Sequence, residues 1–130
     1  MKKFLLVISL ATFACAGLFA QVSFEKTYTG QNIKTPADID KLEIAILASL
    51  NGYGWQVESK ADGEITAKFE KGHGKVMVTI KVEFSSEGYT ITYVDSKGMD
   101  VNLKKMKIHG NYLRWTRNLI KDIGKRYFRQ

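Results

Sequence analysis

The chain has 130 residues, with 20 Lys and Arg against 13 Asp and Glu, a formal net charge of +7 and a single cysteine. One cysteine excludes an internal disulfide or a multi-cysteine metal site, and the length suits one hydrophobic core rather than several. No repeat, low-complexity tract or Pro/Gly-rich linker interrupts the chain, and Pro36 is its only proline.

Met1 to Ala20 has the form of an export signal. Lys2 and Lys3 give a positive start, Phe4 to Ala14 is an uncharged apolar run, and small residues follow where a signal peptidase cuts. The run is shorter than the about 20 apolar residues that a permanent membrane helix needs. Cleavage is expected after Ala20. The alternatives are cleavage after Ala16, which uses the small-x-small set Ala14-Cys15-Ala16, and lipidation of Cys15. Against lipidation, Thr12 and Phe13 stand where a lipobox carries leucine and a small residue. Cleavage after Ala20 removes Cys15, so Gln21–Gln130, expected to be one α+β domain, must be held by its core alone. It also removes Lys2 and Lys3, lowering the net charge from +7 to +5. For an exported protein of the periplasm or cell envelope, the expected partners are anionic lipid, an envelope polymer or an envelope protein, not nucleic acid.

Residues 23–29 can form a short leading strand. Thr35-Pro36 predicts a helix start, a capping hydroxyl followed by proline at the first helical position, with Asp38 and Asp40 in the first turn. Ile39, Leu42, Ile46, Leu47 and Leu50 recur at helical spacing, and Asn51-Gly52 ends the helix. Four strands are then predicted over 55–59, 64–70, 75–85 and 89–93, separated by the turns Ala61-Asp62-Gly63, Gly72-His73-Gly74 and Ser86-Glu87-Gly88. In the third, Val76, Val78, Ile80, Val82 and Phe84 point one way and Lys75, Met77, Thr79, Lys81 and Glu83 the other. Such alternation gives one buried and one wet face, the latter carrying Glu64, Thr66, Lys68, Glu70, Thr90 and Thr92 as well. A loop over 97–107 and a long helix over 109–127 complete the chain, with Tyr112, Trp115, Leu119, Ile120 and Ile123 on the helix's apolar face. The expected fold is a two-layer α+β sandwich, a four-stranded antiparallel meander with two helices on one face.

No H-E-x-x-H, G-x-S-x-G, P-loop or dinucleotide motif is present. Gly72-His73-Gly74-Lys75 lies between strands and lacks the helix a phosphate loop uses. Asp95, Ser96 and His109 form a possible polar cluster that suggests a small periplasmic hydrolase. Adjacent strand residues diverge to opposite faces, however, so His109 is expected to cap the last helix or edge the core, and no catalytic residue is assigned. Asp95 and Asp100 flank Lys97, which opposes a cation cage, so neither metal nor cofactor is expected. Trp55, Phe69, Phe84, Tyr89, Tyr93, Tyr112 and Trp115 fall on predicted buried faces and read as core.

The last helix carries the most suggestive surface. At about 100° per residue, Arg114, Arg117, Lys121, Lys125 and Arg129 form one stripe opposite the apolar face. Asp122, at its edge, is the only acid of the helix. Like charges four apart repel, and a helix needing only solubility usually mixes signs. The expectation is a non-enzymatic binding or accessory protein whose basic helix, or the loop from Asp95 to Lys107, makes the contact. A protein-docking inhibitor is a further possibility and would expose an apolar patch near Met77 or Met99.

Gly52-Tyr-Gly-Trp55, Gly63-Glu-Ile-Thr-Ala67, Tyr89-Thr-Ile-Thr-Tyr-Val-Asp-Ser96 and Ile108-His-Gly-Asn-Tyr-Leu-Arg-Trp115, with Asn118-Leu119, together resemble a group of small exported bacterial proteins. Its members are often predicted lipoproteins and are generally labelled uncharacterised. The resemblance spans about Pro36 to Ile123. This chain departs from it at Gly110, where members often carry proline, and in its weak lipobox. The resemblance implies export but no activity, substrate or site residue.

The intact mass of the exported protein should match the chain Gln21–Gln130. A mass for a lipid-modified chain beginning at Cys15 would contradict this cleavage.

Overall fold

The computed structural model describes residues 21–130, so the cleavage point and Cys15 lie outside the described residues. The alternating runs form β3 (Gln56–Ala61), β4 (Glu64–Lys71), β5 (Val76–Ser85) and β6 (Gly88–Lys97), each antiparallel to the next. The sheet has five strands rather than four, because β2 (Thr27–Thr29) pairs with the free edge of β6 and gives the order β2-β6-β5-β4-β3. The expected leading strand is split: β1 (Gln21–Ser23) leaves this sheet and pairs with β7 (Lys107–His109) in a two-stranded ribbon. The expected loop over 97–107 therefore ends in a strand whose central residue, Ile108, is fully buried.

One face of the large sheet is the core floor. Ile65, Ala67, Val78, Ile80, Val82 and Ile91 have no exposed surface, and Tyr89 and Tyr93 extend the apolar row. The opposite face holds charges and threonines whose signs cancel locally. Lys68 pairs with Glu58 and Glu70 at 3.4 and 3.7 Å, and Lys81 with Glu64 at 3.5 Å. Thr27 and Thr92 share a hydroxyl–hydroxyl bond of 3.0 Å across β2 and β6.

Helix α1 (Ile39–Gly52) starts later than Thr35-Pro36 predicts. Asp38 is the N-cap, its Oδ1 accepting the Lys41 N–H at 3.1 Å. Just before the cap, the Ala37 N–H donates to the Ser86 carbonyl at 2.7 Å, which straps the helix entry to the β5–β6 turn. An aspartate reaching the N3 amide then closes the first turn. The buried positions are Leu42, Ala45, Ile46, Ser49 and Leu50, whereas Ile39 stands exposed at the overhanging end.

Helix α2 (Asn111–Arg129) runs antiparallel to α1. The Asp38 N–H donates to the Tyr127 hydroxyl at 2.9 Å, and Gln130 Nε2 donates to the Lys41 carbonyl at 2.7 Å, so the end of α2 meets the start of α1. Its buried positions are Tyr112, Thr116, Leu119, Ile123, Gly124 and Tyr127. Trp115 is only half-buried and stacks on Phe69 of β4, with ring centroids 4.7 Å apart.

Phe24, Tyr93 and Tyr112 meet edge to face with centroids 5.6–5.7 Å apart, tying the chain start, β6 and α2 into one cluster. Burial pushes the Tyr112 phenol well above its usual range, with smaller contributions from Tyr28 and Tyr93. Its hydroxyl is buried without a hydrogen-bond partner among the described residues. An unpaired buried hydroxyl costs free energy with no return, so Tyr112→Phe should raise unfolding stability by about 1 kcal/mol. Denaturant titration tests this; a loss of stability would mean that the hydroxyl has a partner in solution.

Candidate functional site

Packing divides α2 into two faces. Its apolar residues lie against the sheet and α1, and Arg114, Arg117, Lys121, Lys125 and Arg129 are all exposed on the other side. Among the described residues, none of these five has a carboxylate within ion-pair distance. The cations that are paired are Lys60, Lys68, Lys81 and Arg126. The sole acid of the helix, Asp122, turns toward α1 instead: its Oδ2 accepts from Ser49 Oγ at 2.7 Å and from Arg126 Nε at 2.6 Å. This withdraws Asp122 from the stripe and satisfies a serine that is otherwise fully buried in the apolar face of α1.

Phe128 also belongs to this surface and escapes a search made for charge alone. The same rotation of about 100° per residue places it between Arg117 and Lys121 around the helix. Phe128 is 61% exposed, more than any other large apolar residue among the described residues. It leans edge-on against Tyr127 at 5.7 Å. The stripe thus combines five exposed cations with one exposed ring.

A cavity of about 470 Å³ opens beside the stripe, between α2 and the segment that follows β2. Tyr28, Leu113 and Ile120 supply apolar lining, Gln31 lies on the β2 side, and Arg117 and Lys121 contribute from the stripe itself. Gly30 permits this wall. Its N–H donates to the Tyr89 carbonyl at 2.8 Å, and a Cβ there would clash with the Tyr89 ring. Asn32 then takes a left-handed φ of 63°, and Gln31 and Asn32 pass beside Gly124 of α2.

The structure does not join Asp95, Ser96 and His109 by hydrogen bonds. Asp95 pairs with Thr79 and Ser96 with Val78, on alternate faces of β6. Ser96 Oγ lies 2.6 Å from the Tyr93 hydroxyl. His109 sits on β7, where its Nδ1 accepts the Asn111 N–H at 3.1 Å and caps α2 in place of Gly110, which has no side chain to do so. Met99 is buried, and its carbonyl accepts the His109 N–H at 2.8 Å, so it offers no apolar patch. Among the described residues, no helix is long and apolar enough to cross a membrane.

Burial pushes the Asp122 carboxyl up, but the hydrogen bonds from Arg126 and Ser49 and the charges of Arg126 and Arg129 outweigh it. The carboxyl is held below its ordinary value of 3.8. A depressed folded value means that the clamp stabilises fully above the unfolded-chain value and is lost as pH falls through the folded one. Asp122→Ala should cost about 1–3 kcal/mol at neutral pH, because it strands the buried Ser49 hydroxyl. The stability gap between the protein and Asp122→Asn should narrow below about pH 4 in urea titrations. A gap unchanged down to pH 2.5 would contradict a clamp that depends on ionised Asp122. No protein-family model, curated protein or solved structure matches this chain.

Proposed function

We propose that this is an exported, non-enzymatic envelope protein that binds anionic lipid surfaces through α2. The observation that carries this reading is the contrast between two charged faces. On the sheet, Lys68 and Lys81 are matched by carboxylates within 4 Å. On α2, five exposed cations have no such match among the described residues, and the helix's one acid is bound to Ser49 and Arg126. Such a surface has a field of one sign, which attracts a polyanion and repels another copy of itself. Phe128 favours a lipid interface over a purely polar polymer, since an exposed ring gains from entering the headgroup boundary.

Each Lys or Arg near an anionic membrane contributes about 1 kcal/mol, so replacing Arg114, Arg117 and Lys121 by Gln should weaken association roughly 100-fold. The measurement is co-sedimentation of the exported protein with phosphatidylglycerol-containing and phosphatidylcholine vesicles across salt concentrations. Wild type should bind only the anionic vesicles and release as salt rises. Phe128→Ala should weaken binding while leaving the salt dependence intact. Equal binding to both vesicle types, or no change in the triple variant at low salt, would remove the proposal.

A further inference from the structure

We infer that the cavity between α2 and the segment after β2 is a binding site for a small anionic amphiphile, a molecule with one anionic group on a short apolar body. The inference rests on the reading of α2 as an anion-binding helix and adds the ligand's class. The cavity volume of about 470 Å³ lies within the roughly 300–1,000 Å³ of small-molecule sites. Tyr28, Leu113 and Ile120 give it an apolar lining, while Arg117 and Lys121 are exposed cations on the same helix face side. Among the described residues no Asp or Glu lines it, so nothing within it neutralises those cations. Thr116 does not compete for the ligand either, because its hydroxyl donates to the Tyr112 and Leu113 carbonyls at 3.1 Å each.

These features select against other ligands. A sugar or inorganic anion would leave the apolar lining unsatisfied, and a neutral or cationic amphiphile would leave Arg117 and Lys121 unmatched or repelled. An anion held by two cations, with its apolar portion against Leu113, Ile120 and Tyr28, satisfies both halves. A free fatty-acid anion and the end of an anionic phospholipid share this chemistry.

Calorimetry on the exported protein tests the site with decanoate, decyltrimethylammonium and inorganic phosphate, all below micellar concentrations. Decanoate should bind at one site per chain, at least tenfold tighter than either of the others. Leu113→Trp, which fills the lining, should abolish decanoate binding and leave anionic-vesicle binding unchanged. Gln31→Glu, an exposed change that spares the core, should weaken decanoate at least threefold by setting a carboxylate near its anion. The Arg114, Lys125 and Arg129 triple change to Gln should do the reverse, weakening vesicle binding and sparing decanoate. Equal binding of decanoate and decyltrimethylammonium, or decanoate binding unchanged in both Leu113→Trp and Gln31→Glu, would overturn the cavity site. Wild-type protein that binds decanoate but not anionic vesicles would instead refute the surface reading alone. Monomeric dihexanoyl phosphatidylglycerol in place of decanoate distinguishes the sources: tighter binding than decanoate assigns a phospholipid, weaker binding a fatty-acid anion, and either upholds the site.

Discussion

The packing of α2 against both the sheet and α1 is the constraint on which the rest depends. Residues 21–130 contain no cysteine, so no covalent link holds the layers together. Tyr112, Leu119 and Ile123 of α2 are fully buried, and Thr116, Gly124 and Tyr127 nearly so. Polar clamps fix the orientation of that face. Ser49 to Asp122, Asp38 to Tyr127 and Lys41 to Gln130 form rungs along two antiparallel helices. Once those rungs set the rotation of α2, its remaining side must face outward, and that side is cationic.

The same rungs account for the electrostatic asymmetry. Asp122 is the one group on α2 that could neutralise the stripe, and it is engaged by Ser49 and Arg126. A residue that serves the helix–helix interface thus leaves the opposite surface with a single sign. The wet face of the sheet does the contrary, with cross-strand pairs such as Lys81 and Glu64 cancelling its charge. Two solvent-facing surfaces of one small protein therefore differ in kind, and the distinction is visible only when ion-pair partners are known.

Much of the fold was legible because its strongest signals are periodic. The alternation of Val76 to Phe84 set a buried and a wet face, and both stand in the structure. The strand over 89–93 proved longer because a bulge opposite Thr79 and Ile80 leaves Val94 unpaired and 49% exposed, which breaks the period of two. β1 and β7 were missed as a pair because three-residue strands carry too little pattern, and their partnership spans most of the chain. Asp38 rather than Thr35 caps α1, and the Ala37 N–H beside it bonds the distant Ser86 carbonyl, a contact that local sequence does not encode. The cationic stripe could be read from helical rotation alone, and Phe128 could have been found with the same arithmetic. The cavity could not, since it needs Gly30 to lie against Tyr89 and the following segment to lie beside α2.

In the proposed function, α2 and not the sheet faces the anionic surface. Residues 21–130 carry no cysteine, so single-cysteine labelling of that domain is unambiguous. The most direct measurement places an environment-sensitive fluorophore at Lys121 on α2 or at Thr66 on the open sheet face and adds anionic vesicles. A blue shift and shielding from aqueous quencher are expected at position 121, with no change at position 66. Shielding at position 66 with none at 121 would contradict that proposal, and would make the sheet the contact surface.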